Sequence, residues 1–376
     1  MRQAPYDPTT FSCSEEHYNL MVNDIEPLFE RIHGFIVGQK GPITRTILAL
    51  ISTGQRDFKN RKAYLGSGHI RFVGPTGTGK TLLCKVLAYS IGGNSKKVQG
   101  TPDLMASDIT GFEILDFNQG NKEQGLRFRK GPVFANVLLV DEINRIPPKA
   151  ASGLIEAMAE GTITYGGEVF NLPEPFVVLA TMNPSESGGT FSSDQEAVSD
   201  RFMFEEIMQE VTPEEMVEIH YRTKNIDELD LEPVVTTEKL ANIRKFLFDN
   251  VAVGKEVCEY CARIIDAVNH PKDHGLFRRQ FRKLRKAPLF RQKPPINPRS
   301  MLFLIGAAQA QAFVRYRSYV TPDDVQKIGR SVLRTRMSLL HPAALMTLID
   351  DDGRYKTKSD LVEDLISEVL EEVPSC

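Results

Sequence analysis

The 376-residue chain has no tryptophan, only five cysteines, and no apolar run long enough to cross a bilayer. So few thiols exclude a disulfide scaffold and suit a reducing compartment. The longest stretch free of charged side chains, Ser300 to Val314, is 15 residues and contains Gly306, Gln309 and Gln311, short of a membrane span. The N-terminal MRQAPYDPTTFSCSEEH lacks the apolar core of a secretory signal. A cytoplasmic protein with no membrane insertion is therefore expected. Cys258 and Cys261 form a lone C-x-x-C in a helical-looking segment, with no second pair to complete a zinc site and no strand-to-helix turn for redox chemistry. Helix packing is the expected role for them, and no histidine metal site is expected either.

Neither sign of charge dominates, since the formal net is −3, but the distribution is uneven. Pro271 to Pro295 holds nine Lys or Arg and one acid, Asp273, a net of +8 that leaves −11 for the rest. Asp350 to Cys376 carries nine acids and three bases. A composition of 41% hydrophobic and 25% charged residues excludes wholesale disorder. The length fits about two domains with an added terminal element.

Three short apolar runs, Ile70 to Val73, Val137 to Val140 and Phe176 to Ala180, are each followed at once by polar or Gly-rich residues. They read as buried strands of a parallel sheet covered by helices, whose functional residues collect beyond the carboxyl ends of the strands. After about Glu210 the pattern turns helical. Thr212-Pro213-Glu214-Glu215 and Thr321-Pro322-Asp323-Asp324 are helix starts. Leu361, Val362, Leu365, Ile366, Val369, Leu370 and Val373 describe an amphipathic helix with an acidic opposite face, which can pack back on its own domain.

Gly74-Pro75-Thr76-Gly77-Thr78-Gly79-Lys80-Thr81 fits G-x-x-x-x-G-K-[ST] between the first strand and the helical run Leu82 to Ala88. Glycines let backbone N–H groups converge on an anion, and the following helix adds its positive end. Lys80 then meets the β and γ phosphates of a triphosphate, and Thr81 helps to coordinate magnesium. At the end of the second strand, Asp141 would face the magnesium and Glu142 could deprotonate an attacking water, although two acids there can also cap a helix. Asn183 comes directly after Phe176 to Met182. Its amide can bind both γ phosphate and water, or serve a turn before Pro184.

With these residues in order, the chain resembles the AAA+ ATPases and, more narrowly, the MoxR family, over roughly Phe35 to Arg336. The resemblance rests on Ile36-Val37-Gly38-Gln39, the glycine loop, Thr101-Pro102-Asp103-Leu104, Ser107-Asp108-Ile109-Thr110-Gly111, Lys130-Gly131-Pro132-Val133-Phe134, Asp141-Glu142-Ile143-Asn144-Arg145, Ala180-Thr181-Met182-Asn183-Pro184 and Asp200-Arg201-Phe202. It implies an α/β fold, a P-loop αβα parallel-sheet core followed by a small all-α lid, with ATP between them and a hexameric ring as the working form. The expected division is 1–30 as an N-terminal extension, 31–210 as the ATPase core, 211–340 as the lid with the basic segment 271–295, and 341–376 as an acidic C-terminal helix.

The same resemblance assigns Val37, Gly38 and Gln39 to the adenine pocket and Arg201 to the finger reaching a neighbour's γ phosphate. Arg299 becomes the lid's sensor arginine. An internal ion pair with Asp200 is the alternative for Arg201, and Arg145 and Arg127 are rivals for the trans contact. Pro102 to Ile114 is expected as an insertion within the second helix. Thr162 to Pro175, with Gly166-Gly167, reads independently as a hairpin. Both are candidate contacts to a client protein. Thr76 and Met182 depart from common family residues without removing a phosphate ligand.

The implied function is coupling of ATP hydrolysis, with magnesium, to remodelling, maturation or activation of a partner complex, often one with a von Willebrand factor A domain. Two alternatives share the same ATPase parts: a nucleic-acid-dependent motor gripping through the basic segment, and a chelatase-like subunit driving metal insertion. In that segment Arg278, Arg279, Arg282, Lys283, Arg285 and Lys286 fall on one potential helix, which suits solvent, an acidic protein or nucleic acid.

Overall fold

The computed structural model describes residues 12–52, 68–75, 77–116, 125–183, 197–223, 232–284, 288–290, 296–349 and 357–375. Five strands build one sheet: β1 (Ile70–Val73), β2 (Ser95–Gln99), β5 (Val137–Asp141), β8 (Val177–Met182) and β9 (Phe204–Ile207), in the order β2-β5-β8-β1-β9. Every neighbouring pair is parallel. Two antiparallel hairpins stand apart, β3 (Gly111–Asp116) with β4 (Gly125–Lys130) and β6 (Thr162–Tyr165) with β7 (Glu168–Asn171).

Successive strand residues face opposite sides. Ile70, Phe72, Val137, Leu139, Val177 and Leu179 join an apolar cluster with α2 (Glu26–Phe35), α3 (Lys40–Ile51) and α4 (Lys80–Ser90). Val73, Leu138, Val140, Val178, Ala180 and Met182 face the other way, against Ala150, Leu154 and Ala157 of α6 (Pro148–Glu160). Between β2 and β3 lies only the short α5 (Ala106–Thr110).

Beyond β9 every regular element among the described residues is helical: α7 (Pro213–Thr223), α8 (Thr237–Asn250), α9 (Lys255–Asn269), α10 (Arg278–Leu284), α11 (Pro298–Phe313), α12 (Pro322–Met337), α13 (Pro342–Ile349) and α14 (Lys358–Glu372). The expected starts hold: Thr212 and Glu215 bond reciprocally before α7, and Thr321 and Asp324 form the capping box of α12. Leu361, Val362, Leu365, Ile366 and Val369 of α14 are buried, while Arg330 and Arg334 of α12 pair with its Glu363. The helical part lies along the edge strand β9. Arg334 donates to the Glu205 carbonyl at 2.6 Å, Ser331 to the Glu206 carboxylate, and Arg336 to the Phe202 and Asp200 carbonyls at 2.9 and 2.8 Å. Burial dominates at Glu206 and raises its pKa, although Ser331 and Arg45 support its charge.

One expectation changes here. Residues 102–114 are not an insertion within a helix; they comprise a turn, α5 and the first residues of β3, whose partner β4 lies beyond the expected bounds. The register Phe112↔Arg129 and Ile114↔Arg127 puts Phe128 on the opposite face, where it stacks on Tyr165 at 4.6 Å and Phe170 at 4.8 Å. Aromatic stacking thus holds the two hairpins together. In the basic segment, Phe277 and Leu284 are buried and the Phe277 amide donates to Glu368 at 2.7 Å, leaving Arg278, Arg279 and Arg282 on the exposed side of α10. Arg285 and Lys286 lie outside the described residues.

Candidate functional site

The site forms where the carboxyl ends of β5, β8 and β1 lie side by side. Val73 is level with Met182 across the β1–β8 pair, and Val140 with Ala180 across β5–β8. Those registers bring Gly74, Asn183 and Asp141 to one edge of the sheet. The Gly74 amide donates to the Met182 carbonyl at 3.1 Å, which fixes the start of the loop.

Gly77 and Gly79 hold φ of 84° and 82°, and no atom lies within 4 Å of where a Cβ would stand on either. Conformation, not crowding, demands glycine at these positions. Gly79 is also the N-cap of α4, so no side chain answers the first-turn amides of Lys80, Thr81 and Leu82. Pro75 is exposed and Thr78 buried, its hydroxyl donating to the Pro75 carbonyl at 3.1 Å. The Lys80 ammonium donates to the Gly74 and Pro75 carbonyls, both at 2.6 Å, which folds the cation over the loop. Partial burial pulls its pKa down, and the charge of Asp141 opposes that shift. Thr76 lies outside the described residues.

The acid pair is held from both neighbouring strands. Thr181 of β8 donates its hydroxyl to Asp141 and accepts the Glu142 amide at 3.1 Å, so one side chain fixes both acids. From β2, the Lys97 ammonium lies 2.9 Å from Asp141 Oδ2 and the Gln99 amide donates to Glu142 Oε2 at 3.2 Å. Burial disfavours the charge of Asp141, but Thr181 and Lys97, with Lys80 beyond, outweigh it and hold the carboxyl below the usual carboxylate range. Glu142 adopts a left-handed φ of 54°, and Gly100 packs so closely on its carbonyl that a Cβ there would meet the oxygen at 2.2 Å. Arg145, a rival for the trans contact, has its Nη1 2.9 Å from Glu142 Oε2 of its own chain. The other rival, Arg127, lies on β4.

Val37, Gly38 and Gln39 come to the same end of the sheet. Gln39 donates to the Gln209 carbonyl at 2.8 Å and accepts its amide at 3.2 Å, one residue beyond Met208, whose amide bonds the Val73 carbonyl at 2.8 Å.

Arg201 and Arg299 do not join them. Both meet Asp200, Arg299 Nη1 at 3.0 Å and Arg201 Nη1 at 3.5 Å from Oδ2. Burial, then repulsion by Arg299, lowers the pKa of Arg201 against the pull of Asp200. The Met203 amide donates to the His69 carbonyl just ahead of β1 at 2.9 Å. Asp200 and Arg201 therefore lie in the segment that enters β9 at the amino end of β1, whereas the loop leaves that strand at its carboxyl end.

Lys97, Gln99 and Thr181 were not singled out in the sequence. Thr181 had a visible signal, a polar residue ending an apolar run, and Lys97 and Gln99 had only their i, i+2 spacing ahead of Gly100. Cys258 and Cys261 pack in α9 as expected, and burial pushes the Cys261 thiol up to about 12. His270 and His274 are four residues apart and both bond Asp266, at 2.9 and 2.7 Å, the i, i+4 spacing a metal pair would need. Among the described residues, however, no group of three or more His, Cys, Asp or Glu is arranged to hold a metal ion, and no helix is long and apolar enough to cross a membrane.

Similarity to known proteins extends over most of the chain. Residues 69–204 match the family described as "ATPase family associated with various cellular activities (AAA)", and residues 295–363 match an AAA lid domain. The chain is 33% identical over 322 residues to Chaperone MoxR1 of Mycobacterium tuberculosis, covering 86% of this chain and 78% of that protein. It is 35% identical over 297 residues to the uncharacterized protein YeaC of Bacillus subtilis, covering 78% and 85%. A crystal structure of a candidate ATPase from Cytophaga hutchinsonii superimposes with a TM-score of 0.75 at 28% identity, covering 94% of this chain and 96% of the other.

Proposed function

The chain belongs to the MoxR family of AAA+ ATPases, and on that footing we propose that it binds ATP with magnesium on the Gly74–Lys80 loop, hydrolyses it with Glu142, and uses the cycle to remodel, mature or activate a partner protein complex. The observation that carries this reading is the placement of the glycine loop and the Asp141-Glu142 pair at one sheet edge, with Thr181 bonded to both acids. The first-turn amides of α4 and the Lys80 ammonium would hold the phosphates. Asp141, kept ionised, and the Thr81 hydroxyl are hard oxygen donors of the kind magnesium takes. When bound, that ion neutralises charge on the phosphates.

Glu142 would accept the proton of the attacking water, with Gln99 and Arg145 fixing its carboxylate. Asn183, level with Gly74, would orient the water and the γ phosphate. Val37, Gly38 and Gln39 would receive the base. Arg201 and Arg299 bond Asp200 and not the loop of their own chain, and three guanidiniums on one carboxylate leave a cationic excess that would suit a neighbour's triphosphate. This supports a ring, hexameric in our reading, in which the arginine end of one subunit completes the loop end of the next.

Residues 31–210 would carry the chemistry, 211–340 the lid, and 1–30 and 341–376 the flanking elements. The stacked hairpins would offer a surface to a client protein, reached through a von Willebrand factor A domain partner, in the cytoplasm. The test is Glu142→Gln. ATP affinity should stay within about twofold while turnover falls by roughly a hundredfold or more; turnover at the wild-type rate would remove Glu142 from the mechanism.

A further inference from the structure

We infer that Asp200 is a positioning residue that sets Arg201 and Arg299 as a pair and ties their placement to the lid. This rests on the proposal that those arginines complete a neighbour's site. Three hydrogen bonds and one further ion pair converge on the Asp200 carboxylate. On Oδ1 lie Asn297 Nδ2 at 2.8 Å and Arg336 Nε at 3.4 Å, and on Oδ2 lie Arg299 Nη1 at 3.0 Å and Arg201 Nη1 at 3.5 Å.

These groups come from three parts of the chain. Arg201 follows Asp200 in the core, Asn297 and Arg299 open α11, and Arg336 ends α12. Arg336 is only 2% exposed, and its terminal nitrogens are fixed on the Phe202 and Asp200 carbonyls, so it buttresses the Asp200 backbone as well as its charge. The Phe303 ring lies 5.1 Å from its guanidinium carbon, a further contact with α11.

Physical chemistry shows why a carboxylate is needed here. Arg201 and Arg299 repel one another, and Arg299 stands in the first turn of α11, where the helix dipole already disfavours a cation. Without the charge of Asp200 nothing named above draws both guanidiniums to one point. With it, a shift of α11 or α12 relative to β9 must move both together. The lid then acts on the neighbour's reaction through the placement of two arginines that touch the phosphate, while Asp200 touches none.

The test is trans-complementation of the full-length protein, with steady-state ATP turnover as the readout. Asp200→Asn should lower turnover by roughly tenfold to a hundredfold, with ATP affinity unchanged, because its own loop and acids are intact. Mixed with Glu142→Gln subunits, which are dead at their own sites but carry intact arginines, it should regain turnover that neither protein shows alone. Arg201→Ala mixed with Glu142→Gln is the control. If that control is not rescued, arginine action between subunits fails and this inference goes with it. If the control is rescued while Asp200→Asn runs at the wild-type rate, or is inactive and not rescued although folded, Asp200 has no positioning role. Should Asp200→Asn not fold, Asn297→Ala decides: a severalfold loss that Glu142→Gln subunits repair supports the inference, and a wild-type rate overturns it.

Discussion

The two ends of the same parallel strands carry opposite chemistry. At the carboxyl ends one lysine and an anion-ready helix start face two acids, each acid with its own partner on β2 and a shared one in Thr181. At the amino ends three arginines crowd a single aspartate. The first cluster is nearly self-sufficient. The second has cation to spare. On the proposed reading, one fold presents half of a reaction on each end, and the halves would meet between subunits.

The strongest way to break the comparison is Arg201→Ala. If the amino end supplies charge to a neighbour's transferring phosphoryl group, turnover should drop about a thousandfold while ATP binding is kept. A fall in affinity with unchanged turnover at saturation would instead place Arg201 in ground-state binding. At the other end, Thr181→Ala removes the hydroxyl shared by Asp141 and the Glu142 amide. Turnover should fall about tenfold, and unfolding should become easier by about 1 to 2 kcal/mol, the usual consequence of stranding half-buried polar groups. Thr181→Ser should restore both, and urea denaturation beside steady-state kinetics would show whether it does.

An effect on stability alone, with turnover untouched, separates the ends by pH. His69 precedes β1, takes the Val178 amide on Nδ1 at 3.0 Å, faces the Met158 carbonyl at 3.1 Å through Nε2, and accepts the Met203 and Phe204 amides on its own carbonyl. Burial pushes its pKa down to about 4 from the ordinary 6.5, despite the Met158 bond. The unfolded chain therefore takes up this proton first. Its contribution is full above about pH 6.5 and declines as the pH falls towards 4, a loss of about 2 kcal/mol between pH 7 and pH 5. Urea midpoints should fall more steeply over that range for the wild type than for His69→Gln. Parallel slopes would show that the ring does not report on the amino end.

Much of the carboxyl end was legible in the sequence because its residues follow apolar runs that cannot be surface helices. Ile70–Val73, Val137–Asp141 and Val177–Met182 emerge as strands where expected, and the glycine loop follows the first of them. The hidden strands share a reason. β2 reads Ser-Lys-Lys-Val-Gln and, at the sheet edge, buries only Val98. β9 reads Phe-Glu-Glu-Ile, and its buried acids are paired with Arg71 and Arg45 and hydrogen-bonded by Ser331, from elements distant in sequence. No local pattern announces such partners. The arginine cluster was half visible: Arg201 and Arg299 stood out by resemblance, but Arg336 and the role of Asp200 depend on how α11 and α12 lie along β9.

The most direct measurement is a crystal structure of Glu142→Gln grown with ATP and magnesium. The account predicts the triphosphate on the amides of Gly77 to Thr81 under the Lys80 ammonium, with Asp141 towards the metal and Arg201 of an adjacent subunit facing the γ phosphate. Nucleotide bound elsewhere on the chain, or a loop that another segment fills in saturating ATP, would contradict it.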